Sequence, residues 1–467
     1  MSETAASIGL FDRAIRRIAT VWRDMADRVG TDEDQSIAAQ MRACLLARGG
    51  EVSARNRAAK LAEAYLGLDD AGRRSFLHDM AAFDSDPAAI AQAYEELQAA
   101  KNDAARATAS VRLRRALEPP RVWLLMQFTT IPDGMKFLVD LRATLLDLVR
   151  NDPHLLALDH DLRGLLASWF DVGFLELRRI DWNSPAVLLE RLVGYEAVHE
   201  IRSWSDLKNR LDSDRRCYAL FHPRMPNEPL IFVEVALVRG LSDSVQRLLD
   251  KKAPLLDPKD GDTAIFYSIS NCQRGLAGIS FGNFLIKRVV ELLGSEFRNL
   301  KAFATLSPIP GYRRWLDAKL AEAEPALLSD DEAASLRTAA PADLPASETG
   351  PRALAAILNT RSWFRDPMMM KAAEPVLVRL AARYLLAEAK GKRALDPVAH
   401  FHLSNGARVE RIIPCADVSG KGVRESATLM VNYLYDPAKI EDYHEDYAGE
   451  GKRNASTAVR KLSRGWT

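Results

Sequence analysis

Ala264-Ile-Phe-Tyr-Ser-Ile-Ser270, Gln273-Arg-Gly-Leu-Ala-Gly-Ile-Ser-Phe-Gly-Asn-Phe-Leu-Ile-Lys-Arg288 and Leu300-Lys-Ala-Phe-Ala-Thr-Leu306 form the stretch that decides the fold. Its outer segments read as strands. Residues from Gly282 to Leu293 repeat apolar side chains at helical spacing. The order predicts a βαβ unit. Glycines cluster between the first strand and the helix, where they either let backbone amides approach an anion such as a pyrophosphate or serve only the geometry of the turn. Neither G-x-G-x-x-G nor G-K-[ST] is present, so neither a dinucleotide fingerprint nor a Walker loop is expected.

On the N-terminal side of this stretch, Cys217-Tyr-Ala-Leu-Phe221 and Leu230-Ile-Phe-Val-Glu-Val-Ala-Leu237 predict two strands joined by a long, proline-rich turn over residues 222–229. Before about Phe170 the texture is helical. Asp86-Pro87 marks a helix start, and Phe137, Leu138, Leu141, Leu145, Leu148 and Val149 recur at helical spacing until Asn151-Asp152-Pro153 ends the run. Residues 317–352 read as helical pieces and linkers, and 352–390 as mostly helix. Beyond them, Asn405-Gly406 between Phe401-His-Leu403 and Arg408-Val-Glu-Arg-Ile-Ile413 predicts a tight hairpin, with His402 on a strand.

The bulk properties exclude several classes. The chain has 467 residues, too many for one core, so two domains are expected, divided as 1–170 and 171–467. With 64 basic and 63 acidic side chains there is no cationic surplus to meet nucleic acid. Cys44, Cys217, Cys272 and Cys415 form no C-x-x-C pair, which argues against a disulfide framework or a zinc site and for a reducing cytoplasm. No signal core, membrane span, acid-poor transit segment or peroxisomal address is recognised.

Two further segments carry chemistry. In Thr305-Leu-Ser-Pro-Ile-Pro-Gly-Tyr-Arg-Arg-Trp315 the prolines stiffen the backbone, and Ser307 is pushed to an extended conformation, presenting its hydroxyl or simply forming a turn. Asp396-Pro-Val-Ala-His-Phe-His-Leu-Ser-Asn-Gly-Ala407 places His400 and His402 two apart. On a strand they would share a face, as a metal site requires, but no third ligand accompanies them. No metal is therefore expected, and a structural or acid–base role is left for each histidine.

Taken in order, these segments, with Lys136-Phe-Leu-Val-Asp-Leu-Arg142, Phe221-His-Pro-Arg-Met-Pro-Asn-Glu-Pro-Leu-Ile-Phe-Val-Glu-Val-Ala-Leu237 and Asn432-Tyr-Leu-Tyr435, resemble the malonyl-CoA decarboxylase family over nearly the whole chain. The resemblance implies an α+β protein: an all-α helical bundle used in oligomer contacts, then a GNAT-like mixed α/β domain that binds acyl-CoA at a splayed sheet. It implies a cytoplasmic homotetramer of fatty acid metabolism that turns malonyl-CoA into acetyl-CoA and carbon dioxide, with no cofactor and no metal. The family's catalytic serine and histidine fall on Ser307 and His402. Ser268 and Tyr435 match two more active-site positions. Its CoA-contacting turn falls on Ala277, Gly278, Ile279, Ser280, Phe281, Gly282 and Asn283. One departure stands out: animal members carry a glutamate where this chain has Ser280.

The chemistry needs no outside electron sink, because the thioester carbonyl accepts the pair released with carbon dioxide as an enolate. Fixed donors must stabilise that oxygen, and a group must protonate carbon. His402, as an imidazolium, is the expected donor, with Ser307 its orienting or relay partner rather than a nucleophile. Two other readings compete on the same residues: a GNAT-type acyl-CoA N-acyltransferase, and a non-catalytic acyl-CoA sensor, the latter favoured by Ser280.

Overall fold

The computed structural model describes residues 21–23, 25, 36–46, 50–279, 282–322, 327–342, 344, 345 and 348–464. They fall into two compact units, the first comprising Met1–Glu176, Phe221–Leu230 and Asn271–Phe281, the second Leu177–Leu220, Ile231–Ser270 and Gly282–Thr467. The first unit therefore takes in two stretches from beyond residue 170. No helix among the described residues is long and apolar enough to cross a membrane.

The first unit is helical, from Ile37–Leu45 to Leu156–Trp169. Its starts follow capping rules: Asp86 accepts from Ala88 N–H with Pro87 at the first helical position, and Asn102 accepts from Ala105 N–H at 2.9 Å. The helix Gly134–Val149 contributes to the core, burying Phe137, Leu138, Leu141 and Leu145. Trp22, Tyr65 and Phe128 surround the Phe137 ring at 5.5, 5.6 and 5.0 Å. Each such buried side chain contributes about 1.5–3 kcal/mol. The stretch after residue 271 joins this unit through Gly275, whose backbone lies so close to that helix that a Cβ would sit 1.8 Å from the Val139 carbonyl oxygen. Only glycine fits there.

The expected long turn at 222–229 is shorter than predicted. Strands β2 (Arg215–His222) and β3 (Met225–Val238) leave only Pro223-Arg224 between them, and the Arg224 N–H donates to His222 Nδ1 at 3.1 Å. Pro226 and Pro229 lie within β3, because a strand proline loses only its N–H. The Pro229 carbonyl still accepts, from Gln273 Nε2 at 2.9 Å.

The second unit holds most of the sheet. With β1 (Glu176–Ile180), β4 (Thr263–Asn271), β5 (Ala302–Thr305), β6 (Ser307–Pro308), β9 (Arg408–Ile413) and β10 (Met430–Tyr435), the strand order is β1-β2-β3-β4-β5-β10-β6, and β9 pairs β10. A separate two-stranded ribbon joins β7 (Ala389–Lys390) to β8 (Arg393–Ala394). The expected βαβ unit is present: β4, the helix Gly282–Glu296, and β5 parallel to β4. Pairing of β4 with β5 ends at Phe266 opposite Thr305, although β4 runs on to Asn271. There the chain after β5 turns aside at Leu306 and continues as β6 along β10, with Ser307 opposite Val431. The sheet is thus splayed between β4 and β5.

One sheet face buries Ala236, Ile265, Tyr267, Ala304, Leu306 and Met430 against Val245, Leu248, Ile413 and Ala416. The alternating residues Phe266, Phe303, Tyr433 and Tyr435 point the other way.

His402 is not on a strand. Residues Pro397–Ser404 form a helix, capped by Asp396 and followed by Asn405 and by Gly406 at φ +78°. Asn-Gly suits a hairpin and a helix end alike, since both need a residue at positive φ. Here Gly406 N–H bonds the Leu403 carbonyl and Ala407 N–H that of His402, both at 3.1 Å, closing the helix. A Cβ on Gly406 would lie 2.1 Å from the Ile440 carbonyl oxygen.

Candidate active site

The helix Pro397–Ser404 delivers His402 in its last turn onto the tyrosine face of the sheet. The imidazole stacks on Tyr433, with ring centres 4.5 Å apart and planes inclined by 25°. Nε2 lies 3.0 Å from Ser307 Oγ, and Nδ1 lies 2.8 Å from the Tyr435 hydroxyl. Ser307, His402 and Tyr435, three residues that the sequence singles out, thus form one hydrogen-bonded chain with at most 6% exposure each.

The chain has a direction. Thr305 Oγ1 accepts from the Tyr433 N–H at 3.1 Å and donates towards the Val431 carbonyl at 3.5 Å, so Ser307 is the donor in the 2.9 Å Ser307–Thr305 bond. Ser307 then accepts from Nε2–H, and Nδ1 accepts from Tyr435. This assigns the Nε2–H tautomer of a neutral ring. Burial pushes the His402 pKa down to about 3 and lifts the Tyr435 hydroxyl well above the usual tyrosine range. The imidazolium expected from the sequence is therefore not the resting form. Burial away from water disfavours the charged ring.

His400 takes no part in this chain. Two residues apart on a helix means nearly opposite sides, and His400 Nδ1 meets the Tyr447 hydroxyl at 2.8 Å. Among the described residues no group of three His, Cys, Asp or Glu side chains is placed to hold a metal ion. Ser268 lies outside the chain as well. It is on β4, two residues from Phe266, whose ring meets that of Tyr435 at 6.2 Å, and its hydroxyl donates to Glu196, with both carboxylate oxygens at 2.7–2.8 Å.

In the glycine turn, Ala277 and Ile279 spend their N–H groups on the carbonyls of Arg274 and Leu276. Gly278 has φ +77°. The carbonyls point to arginines: Arg142 reaches those of Gly275 and Ala277 at 2.6 and 3.0 Å, and Arg163 that of Gly278 at 2.9 Å. Arg142, only 2% exposed, is also paired with Asp159 at 2.9 Å. Ser280 and Phe281 lie outside the described residues, and Gly282 and Asn283 begin the helix Gly282–Glu296. Of the basic pair on that helix, Lys287 bonds Glu441 at 2.8 Å and Arg288 bonds Glu291 at 3.1 Å.

Sequence reasoning passed over Thr305, Tyr433, Glu196 and Asp396. Thr305 was visible through strand alternation, two residues before Ser307. Asp396 was visible as an Asp-Pro helix start, the same signal that was read at Asp86. Nothing local marks Glu196.

Comparison with known proteins places this geometry. Residues 173–466 match the model of the malonyl-CoA decarboxylase C-terminal domain and residues 83–170 that of the malonyl-CoA decarboxylase N-terminal domain. The mitochondrial malonyl-CoA decarboxylase of Mus musculus is 37% identical over 377 residues, 78% of this chain and 75% of that protein. The solved structure of malonyl-CoA decarboxylase from Rhodopseudomonas palustris superposes with a TM-score of 0.81 at 41% identity, covering 91% of this chain and 98% of that one. That from Agrobacterium vitis gives 0.82 at 39%, covering 92% and 100%. The chain belongs to the malonyl-CoA decarboxylase family.

Proposed function

We infer that this chain decarboxylates malonyl-CoA to acetyl-CoA and carbon dioxide at Ser307 and His402. The observation that carries the reading is the buried Tyr435–His402–Ser307 hydrogen-bonded chain. The malonyl carboxylate enters beside Ser307, and its charge raises the affinity of His402 for a proton, which is taken up with the substrate. Twisting the carboxylate out of the thioester plane aligns the breaking carbon–carbon bond with the carbonyl π system. The bonding pair moves into the thioester as an enolate, and carbon dioxide leaves. His402 then returns its proton to carbon, directly or through the Ser307 hydroxyl, and one proton is consumed per turnover. Tyr435 holds Nδ1 and Ser268 lines the acyl end.

In the same reading Ala277, Gly278, Ile279, Ser280, Phe281, Gly282 and Asn283 take the CoA moiety, where a glycine turn leads into a helix N-terminus that favours phosphate. The splay between β4 and β5 supports a GNAT-like manner of binding the pantetheine arm. Residues 1–170 serve oligomerisation in a homotetramer, and the chain works in a reducing cytoplasm. Light scattering of the purified protein should give four chains, and a monomer would overturn that assignment.

The decisive experiment is purified protein with malonyl-CoA, following acetyl-CoA and carbon dioxide. Turnover without added cofactor is expected. Tight binding with no product would favour the sensor, and acetyl transfer to an amine would favour the acyltransferase.

A further inference from the structure

Asp396 is a fully buried carboxylate with two separate sets of partners. Oδ1 accepts from Val398 N–H at 3.0 Å and Ala399 N–H at 2.9 Å, the bonds of a helix cap. Oδ2 accepts from Gly311 N–H at 3.4 Å, and the Tyr384 hydroxyl donates to the same carboxylate. Gly311 closes the segment Ser307-Pro-Ile-Pro-Gly311. Its prolines leave Ile309 and Gly311 as the two N–H donors after Ser307. Ile309 N–H goes to Ser426 Oγ at 3.1 Å, and Gly311 N–H goes to Asp396. A Cβ on Gly311 would lie 2.2 Å from the Tyr384 oxygen, so a side chain there would displace that hydroxyl. A cap alone would be served by a neutral serine or asparagine without burying a charge.

We propose that Asp396 is a positioning residue that ties the Ser307 segment to the helix of His402 and so fixes the hydroxyl–imidazole contact. The proposal rests on the reading of Ser307 and His402 as the reacting pair. Asp396 touches no reacting atom. It acts by holding the beginning of one catalytic helix and the end of one catalytic loop with a single side chain.

The variant that separates the two tasks is Asp396→Asn. Its amide oxygen keeps the cap, while its NH2 group cannot accept from Gly311. We expect kcat with malonyl-CoA to fall about tenfold or more, since small misplacements of reacting groups are costly. KM should stay within about threefold and the melting temperature within a few degrees, because Asn caps as well as Asp. Combined with Ser307→Ala, Asp396→Asn should cost nothing further, as both changes abolish one contact. A kcat within about twofold of the parent, or a loss that multiplies with that of Ser307→Ala, would overturn the proposal. If Asp396→Asn does not fold, Tyr384→Phe takes its place in the cycle, with a loss of about threefold expected and the same criterion applied. Parent-like kcat in Ser307→Ala and His402→Asn would instead overturn the reacting pair itself.

Discussion

The glycine turn at 274–279 and the Ser307–Gly311 segment both follow a strand, both contain glycine and both precede a helix, yet they are held by opposite means. In the turn, carbonyls are taken by guanidinium groups, and Arg142 answers to the Asp159 carboxylate. In the Ser307 segment the partners of Ser307 itself are a threonine hydroxyl and a neutral imidazole, and prolines replace donors that would otherwise need satisfying. In the proposed function the guest of this turn is an anionic phosphate, which such charge suits. The Asp396 carboxylate of this region is turned to Gly311 and to its helix cap rather than to the imidazole, and in the proposed function the neutral partners of Ser307 and His402 suit a site that takes up a proton when its anionic substrate is present.

The largest effect that would break this comparison is loss of the imidazole. His402→Asn should lower kcat by about 10²–10⁴-fold, the usual contribution of a general acid, with KM little changed. Steady-state kinetics on malonyl-CoA would measure it. An equal loss of CoA binding would make His402 a structural residue.

The neutrality of His402 gives a second effect in stability. Its folded pKa, about 3, lies below the ordinary 6.5, so between these values the unfolded chain holds a proton that the native chain refuses. The corresponding stability is present above pH 6.5 and is lost as pH falls towards 3. Asp396 and Glu234, pushed up to about 6 and about 8 mainly by burial, work in the opposite direction, and His199, pushed down to about 4, in the same one. The comparison that isolates His402 is therefore the variant against the parent. Between pH 7 and pH 4, His402→Asn should lose less unfolding free energy than the parent by on the order of 3 kcal/mol. Urea titrations at the two pH values would measure it, and parallel losses would mean that His402 is already charged in the native state.

A third effect belongs to the charged turn. Arg142→Met leaves Asp159 without its buried partner and two carbonyls without a donor, and should destabilise by about 3 kcal/mol in denaturant titrations. The same change at an exposed arginine would cost far less. A loss under about 1 kcal/mol would show that the turn is held by packing at Gly275 rather than by the guanidinium.

What was legible in the sequence follows the same division. The βαβ unit could be read because alternation and helical periodicity are local signals, and β4, the helix Gly282–Glu296 and β5 stand where they were expected. His402 was assigned the right neighbourhood but the wrong element. Eight residues are too few for periodicity to separate helix from strand, and Asn405-Gly406 fits both a helix end and a hairpin. The coupling of Arg142 to Gly275 spans 133 residues and leaves no local pattern. Nor does the sequence explain why residues 221–230 and 271–281 belong with the helical unit. That follows from close backbone packing such as Gly275 on Val139, which a residue-by-residue reading does not contain.

The smallest effect is also the one that best separates holding a turn from attracting a ligand. Arg163 is exposed and, among the described residues, makes a single hydrogen bond, to the Gly278 carbonyl. Replacing it by Gln preserves a donor that can still reach that carbonyl but removes the charge. If the CoA phosphates sit at this turn, Arg163→Gln should raise KM for malonyl-CoA about two- to fivefold at low ionic strength and leave kcat unchanged, because the lost attraction acts on binding alike in ground and transition states. Raising the salt to about 0.5 M should erase most of the difference, since the Debye length then falls well below 10 Å. A KM change that persists in salt would mean that Arg163 shapes the turn through its hydrogen bond. No change at either salt would place the phosphates elsewhere and leave the arginines of this turn a purely structural device.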